Sequence, residues 1–144
     1  FLRAESTYNV ASEIDRLKSS GGNGELFMKS YGGISLHNQS HGESFMAIMK
    51  NRFSGHGLYI LDEPEAALSP SRQMAMLALM KRLVDQDSQF IISTHSPILM
   101  AYPEAEIIEL DETGFRSTPY KETTHYRLTN YFLNNTEQML KELM

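Results

Sequence analysis

GLYILDEP, residues 57–64, is the stretch of the sequence that decides the fold. Four consecutive apolar residues follow a glycine, which predicts a short buried strand of a parallel sheet. Asp62 and Glu63 come where this strand ends, and ligand sites of open α/β sheets gather at the carboxyl ends of strands. Two adjacent carboxylates there favour a hydrated Mg²⁺, which prefers oxygen ligands. The alternative is an ordinary Asp-Glu-Pro turn.

Helical and strand patterns alternate around this stretch. Apolar spacing predicts a helix over residues 40–53, ended by nearby glycines. Ser69 and Pro70 predict the start of a second helix with a capping hydroxyl, and residues 71–84 are apolar nearly all round, which predicts burial on more than one side. This alternation predicts an α/β fold, a parallel sheet with flanking helices. The other predicted elements are a helix over 3–19, a helical turn near 26–28, strands at 89–92, 105–110 and 115–119, and one or two helices from 123 onward, broken near Asn134 and Asn135.

Composition bounds the class of protein. The 144 residues have the size of one domain, and 41% hydrophobic with 22% charged content is typical of a globular protein. With no cysteine, the chain has no disulfide, no thiolate zinc site and no cysteine nucleophile. A net charge of -5 gives no indication of nucleic-acid binding. No apolar run reaches the length of a membrane span.

A second candidate site lies upstream, in QSHGES, residues 39–44, at the predicted start of the first helix. Ser40 and Gly42 there leave backbone N–H groups open to an anion, and the helix dipole favours negative charge at this end. The alternative is an ordinary serine cap in which Glu43 is the capping carboxylate.

A third candidate, His95, follows the predicted strand at residues 89–92. Because neighbouring parallel strands end side by side, His95 is expected to face the same site as Glu63. A histidine there can donate a hydrogen bond to a phosphate oxygen near neutral pH. The alternative is a histidine that caps the turn before Pro97.

In their order and their positions relative to the strands, these three stretches resemble the ATP-binding cassette (ABC) ATPases, over roughly residues 36–110. Residues 39–43 are similar to the family's signature loop, usually LSGGQ, with Ser40 and Gly42 at its serine and second glycine. Residues 58–62 resemble its Walker B strand, and residues 66–69 its D-loop. Glu63 and His95 match its catalytic carboxylate and its switch histidine.

The resemblance implies a partial P-loop NTPase fold and an ATPase in which two cassettes enclose ATP and Mg²⁺, as a homodimer formed on ATP binding. The phosphate-binding motif GxxxxGK[ST] occurs nowhere in the chain, so residues 1–144 are expected to be the C-terminal part of a cytoplasmic cassette, inactive alone and prone to self-association. The implied roles are catalysis by Glu63 and His95, magnesium binding by Asp62, and nucleotide contacts by Ser40, Gly42 and Ser69.

Departures from the family pattern leave alternatives open. Gln39, His41 and Glu43 replace the usual signature residues, and Ser69 stands where the D-loop usually has aspartate. One alternative is a regulatory module that binds nucleotide without hydrolysing it. Another is a DNA-repair type ATPase, although no sustained heptads precede residue 40. The last is a metal protein that uses His37, His41 and His56, for which no complete ligand set is evident.

Overall fold

The structure is a computed structural model that describes residues 1–3, 13, 16, 40–112 and 114–144. These residues form two compact units, 1–94 and 95–144. The prediction that residues 1–144 form one domain stays a prediction. The helix predicted over 3–19 and the turn near 26–28 lie outside the described residues, apart from Arg3, Glu13 and Arg16. Glu13 and Arg16 form an ion pair of 2.7 Å.

The first unit is built on a three-stranded parallel sheet, which confirms the predicted fold class. Its strands, in spatial order, are β1 (Leu2–Arg3), β2 (Leu58–Asp62) and β3 (Gln89–Ser93). The central strand is the decisive stretch of the sequence, and Asp62 pairs with Arg3 on one side and Ser93 on the other. The carboxyl ends of β2 and β3 therefore lie side by side, as the sequence predicted.

Helix α1 (His41–Arg52) confirms the helix predicted over residues 40–53. Its first turn carries an acidic residue and its last turn carries Lys50 and Arg52, which suits the helix dipole. Phe45 and Met49 on its inner face are fully buried, and Phe53, just after the helix, stacks on Tyr59 of β2 at 4.0 Å between ring centroids. The helical layer therefore packs on the face of the sheet that carries Tyr59.

Helix α2 (Pro70–Val84) begins where the Ser-Pro pair predicted, but two expectations about it were wrong. Ser69 occupies the N-cap position without a side-chain capping hydrogen bond. Met74 is 57% exposed, so the helix is buried on one face although its sequence is apolar nearly all round. The buried positions recur every three or four residues, the period of a single helix face. They are Gln73, Met76, Leu79, Met80 and Leu83.

The sheet is also buried less completely than its apolar sequence predicted. Leu61 of β2 is 1% exposed, whereas Leu58 and Ile60 are 59% and 38% exposed. Ile91 of β3 pairs with Ile60 and is 52% exposed. Because alternate side chains of a strand point to opposite faces, the described helices cover only one of the two faces.

The second unit corrects the prediction for residues 105–119. The third predicted strand joins the return strand in an antiparallel hairpin, rather than extending the parallel sheet. Gly114 in the turn has a φ of +120°, which glycine adopts readily. The two C-terminal helices confirm the prediction of a break near Asn134. The elements are α3 (Pro97–Met100), β4 (Ile108–Asp111), β5 (Gly114–Ser117), α4 (Thr124–Asn134) and α5 (Thr136–Leu143), with 3₁₀ turns at Pro64–Ala66 in the first unit and Tyr120–Glu122 in the second.

Within the part of the chain that the structure describes, each helix is too short or too polar to cross a membrane.

Candidate active site

Asp62 lies at the carboxyl end of the central strand, in one row with Arg3 and Ser93. Its side chain is 30% exposed, and Arg3 Nε donates a hydrogen bond of 2.7 Å to Asp62 Oδ2. Arg3 is thus a member of the site that sequence reasoning missed. No local pattern could have indicated it, because the two residues are 59 positions apart and meet only through strand pairing.

Glu63 follows Asp62 in a left-handed conformation, with a φ of 45° and a ψ of 54°. Such a conformation costs a residue other than glycine on the order of 1–3 kcal/mol and is common at functional sites. The Glu63 N–H donates to the Ser93 carbonyl oxygen at 2.9 Å, which fixes this backbone to the neighbouring strand. Glu63 itself is exposed. Conformation alone does not mark a site, since Glu104 also has a positive φ.

The end of β2 offers carboxylate oxygens, which are suitable ligands for Mg²⁺. Mg²⁺ in nucleotide enzymes usually takes one or two protein carboxylates and fills its other positions with water and phosphate oxygens. Asp62 can be one such carboxylate if Arg3 gives up Oδ2. The Arg3 side chain is 57% exposed, and exposed ion pairs of this kind are weak.

The alternative three-histidine metal site gains no support from the residues the structure describes. His41 and His56 are among them, and no group of three or more potential metal ligands occurs there. His56 is instead 3.6 Å from the carboxylate of Asp87. His37 lies outside the described residues.

Glu65 and Thr94 form a second contact between the loops after β2 and β3. The Thr94 hydroxyl donates a hydrogen bond of 2.7 Å to Glu65 Oε2, and both residues are partly buried. This bond holds the turn that begins at Glu63 against the end of β3. Both residues lie a few positions after predicted strands, but neither belongs to a motif of the candidate site.

Ser40 and Glu43 form a complete capping box at the start of α1. The Ser40 N–H and the Ser40 hydroxyl each donate to Glu43 Oε2 at 2.8 Å, and the Glu43 N–H donates to Ser40 Oγ at 3.4 Å. The bond from the Ser40 backbone N–H lowers the pKa of Glu43 most, followed by the bond from the Ser40 hydroxyl. Glu43 is therefore an anion at neutral pH, beside the serine expected to contact a phosphate. Gln39 lies outside the described residues.

Arg72 connects this cap to helix α2. Its Nη1 donates to Ser40 Oγ at 3.1 Å, and its Nη2 is 3.0 Å from Glu43 Oε1. A Cβ on Gly42 would lie 2.6 Å from Arg72 Nη1 and 2.7 Å from the Ala67 carbonyl oxygen. The signature-like and D-loop-like segments thus touch, and only glycine fits between them. Sequence reasoning placed Gly42 here as a phosphate contact and missed Arg72.

Ser69 is exposed, and its Oγ lies 3.1 Å from Ser71 Oγ. Its hydroxyl contacts a side chain of the first turn of α2 and caps no backbone N–H. All the predicted site residues except His95 lie in the first unit: Ser40, Gly42, Asp62, Glu63 and Ser69.

His95 is the first residue of the second unit, and its predicted proximity to Glu63 stays a prediction. Within that unit, His95 Nδ1 lies 3.2 Å from Nε2 of His125, with 4.9 Å between ring centroids. Sequence reasoning missed His125, which lies 30 positions later on a predicted helix.

A cavity of about 610 Å³ lies in the second unit and contains none of the predicted site residues. It is open and is formed by α4 and the 3₁₀ turn before it. This cavity therefore does not identify the candidate site.

Comparison with known proteins indicates that the chain is part of an ATPase domain. A family model for the AAA ATPase domain matches residues 10–100, more than half of the 144 residues. The matched range contains β2, the Asp62–Glu63 pair, α2 and His95. The chain belongs to the AAA ATPase domain family. No relative among curated proteins matches it.

Membership of the AAA ATPase domain family supports nucleotide binding and ATP hydrolysis as the general class of activity. Such domains generally use Mg²⁺ with the nucleotide, which agrees with the oxygen donors at the end of β2. The match is to P-loop ATPases in general, and it does not distinguish the ABC branch from its relatives.

Proposed function

We propose that this AAA ATPase domain is the signature, Walker B, D-loop and switch-histidine part of an ABC-type ATPase that hydrolyses ATP between two copies. The observation that carries the proposal is the end of β2, where Asp62 and an exposed, left-handed Glu63 follow the central strand of a parallel sheet. The chain contains no GxxxxGK[ST] sequence. We therefore propose that the phosphate-binding loop comes from a segment outside it, and that residues 1–144 alone are inactive.

In this proposal Glu63 orients and deprotonates the attacking water. Its backbone is fixed by the bond to Ser93, so its side chain extends from a fixed point at the end of β2. His95 donates a hydrogen bond to the γ-phosphate and stabilises the charge on the transferred group. Catalysis of this kind depends on positioning and charge stabilisation more than on covalent chemistry.

Asp62 would hold Mg²⁺, directly or through water, after Arg3 releases its Oδ2. A bound Mg²⁺ supplies charge neutralisation for the β- and γ-phosphate oxygens.

Ser40 and the Gly42 N–H would contact the γ-phosphate bound by the second copy, and Ser69 would lie near the same nucleotide. In the structure the Ser40 hydroxyl donates to Glu43, so a phosphate contact requires this O–H to turn away. The Glu43 charge opposes a phosphate, whereas Arg72, 3.0 Å from Glu43 Oε1, offsets that charge. Arg72 therefore adds to the affinity of the signature-like cap for an anion.

The decisive experiment measures phosphate release by the natural protein that contains this chain together with its phosphate-binding loop. Glu63→Gln should retain ATP binding and lower turnover by about 10²- to 10⁴-fold, the usual contribution of acid–base catalysis. Glu104→Gln is the matched control, because Glu104 is also an exposed glutamate with a positive φ. Its turnover should equal that of the wild type.

Turnover near the wild-type level in Glu63→Gln would remove Glu63 from the proposed role. ATP binding by the wild type without phosphate release would instead indicate a nucleotide-dependent regulatory module. ATP-dependent association, measured by sedimentation, tests the second copy separately. Stimulation of turnover by DNA would favour the DNA-repair type of ATPase.

A further inference from the structure

The contact between His95 and His125 joins two specific ring nitrogens. His95 Nδ1 and His125 Nε2 are 3.2 Å apart, and the rings meet edge to face. A neutral imidazole carries one N–H donor and one acceptor nitrogen. When both rings are neutral, this contact is a hydrogen bond only if one ring supplies the proton from that nitrogen and the other accepts it.

Several hydrogen bonds fix the helix that carries His125. His125 is the second residue of α4, whose N-cap, Thr123, is fully buried and accepts the Tyr126 N–H through its hydroxyl. The Thr124 N–H donates to Glu109 Oε1 at 2.8 Å. The first turn of α4 is thus attached to strand β4 and to its own cap, and the His125 ring extends from a fixed backbone.

The neighbouring aromatic contacts tie the same turn to the segment after His95. Tyr120 and Tyr126 pack with ring centroids 4.7 Å apart, and the Tyr120 hydroxyl donates to the Pro97 carbonyl oxygen at 2.9 Å. Burial raises the pKa of Tyr120, so this hydroxyl keeps its proton and remains a donor at neutral pH. His95 and His125 are therefore held by segments that are hydrogen-bonded to one another.

We propose that His125 is a positioning residue that selects the tautomer of His95. In this proposal His125 donates from Nε2–H and His95 accepts at Nδ1. The proton of neutral His95 then resides on Nε2. Since Nδ1 faces His125, a hydrogen bond from neutral His95 to a phosphate has to come from Nε2–H. This deepens the proposed function and rests on it for the role of His95, although the tautomer itself can be tested without turnover.

The test records the ¹⁵N chemical shifts of the His95 ring nitrogens by NMR in the full chain. The pH is raised until the shifts of both rings no longer change, which marks their neutral forms. In the wild type, His95 Nε2 should show the shift of a protonated nitrogen and Nδ1 that of an acceptor. His125→Ala should change both shifts, because the ring nitrogen opposite His95 Nδ1 is removed.

Two further variants separate positioning from folding. His125→Gln places an amide N–H near the position of His125 Nε2, so it should restore the wild-type shifts of His95. His56→Ala removes an exposed histidine of the first unit and should leave them unchanged. Protonation of His95 at Nδ1 in the wild type would overturn the proposal, as would unchanged His95 shifts in a folded His125→Ala variant.

The effect on turnover is measured in the natural protein that contains the phosphate-binding loop. His125→Ala should lower kcat by about 3- to 10-fold, the worth of one hydrogen bond, and His125→Gln should recover most of it. If His125→Ala alters the His95 shifts but leaves kcat at the wild-type value, the tautomer of His95 does not affect hydrolysis. Absence of turnover in the wild type would instead overturn the proposed function, and the shifts would still decide whether His125 selects the tautomer.

Discussion

At the scale of single residues, Gly42 shows how little space separates two candidate site segments. A Cβ there would meet a backbone oxygen, that of Ala67, at 2.7 Å, and the flexible end of Arg72 at 2.6 Å. Arg72 can move aside, whereas the carbonyl of Ala67 belongs to the turn that follows β2. The close approach therefore depends on the missing side chain of Gly42.

We predict that Gly42→Ala lowers the free energy of unfolding. Overpacking of this kind costs about 1–3 kcal/mol, which exceeds the gain of up to about 1 kcal/mol that alanine brings to a helix. Urea denaturation of the single variant, of Arg72→Ala and of the double variant forms the test. Because the Ala67 oxygen remains in place, the substitution should stay unfavourable when Arg72 is absent. A Gly42→Ala variant more stable than the wild type would contradict this packing.

At the scale of elements, α1 and α2 begin in the same way in sequence and differently in structure. Each has a serine at its N-cap, at Ser40 and Ser69; the sequence predicted a capping role for Ser69 and offered it as the alternative role of Ser40. Ser40 is bonded to Glu43 in a capping box, whereas Ser69 caps no backbone N–H. Proline at the first position of α2 already removes one N–H that a cap would otherwise satisfy.

We predict that Ser40→Ala lowers the free energy of unfolding by about 1 kcal/mol, the usual worth of an N-cap. Ser69→Ala is the matched control, and its effect should be close to zero because no capping bond is lost. Chemical denaturation of both variants measures the difference. Equal losses in the two variants would show that the capping box adds nothing to the stability of α1.

The burial of the elements was predicted less well than their bounds. Caps, glycines and prolines act within a few residues, so they fixed the starts of α1 and α2 and the break between α4 and α5. Met74 and Ile91 are apolar but exposed, at 57% and 52%. Burial depends on which other elements pack against each face, and no local pattern reports that.

At the scale of a whole unit, Glu109 of β4 bonds to two other parts of the second unit, β5 and the start of α4. Oε1 accepts the Thr124 N–H at the start of α4, and Oε2 accepts Arg116 Nη2 of β5 at 3.0 Å. The bond from Thr124 is the largest cause that lowers the pKa of Glu109 below its ordinary value of 4.5. One carboxylate thus connects the hairpin with the helix that carries His125.

We predict that the stability of this unit falls in acid. A carboxyl group with a lowered pKa in the folded state contributes fully above its unfolded pKa, and the contribution disappears as the pH falls through the folded pKa. Denaturation of the wild type and of Glu109→Gln should show a wild-type advantage at neutral pH that declines below about pH 4.5. A difference that is independent of pH would show that the charge of Glu109 has no part in it.

The sequence also indicated only part of the candidate site, because local patterns do not report contacts between residues far apart in the chain. Asp62, Glu63, Ser40 and Gly42 were found because they directly follow a strand or begin a helix. Four contacts in and around the candidate site residues were missed, since the two residues of each contact lie at least 29 positions apart in the chain. They are Arg3 beside Asp62, Arg72 beside Ser40, Thr94 beside Glu65, and His125 beside His95.

The sequence by itself determined the α/β class, the parallel strands β2 and β3, and the carboxylates that follow the central strand. Apolar runs, helix caps and turn residues encode these locally, through backbone sterics and the burial of nearby side chains. Only the tertiary structure decided that Leu2–Arg3 forms the third parallel strand and that β4 turns back into a hairpin. Those pairings join backbone N–H and C=O groups, which every residue type except proline carries, so side-chain patterns alone could not select among them.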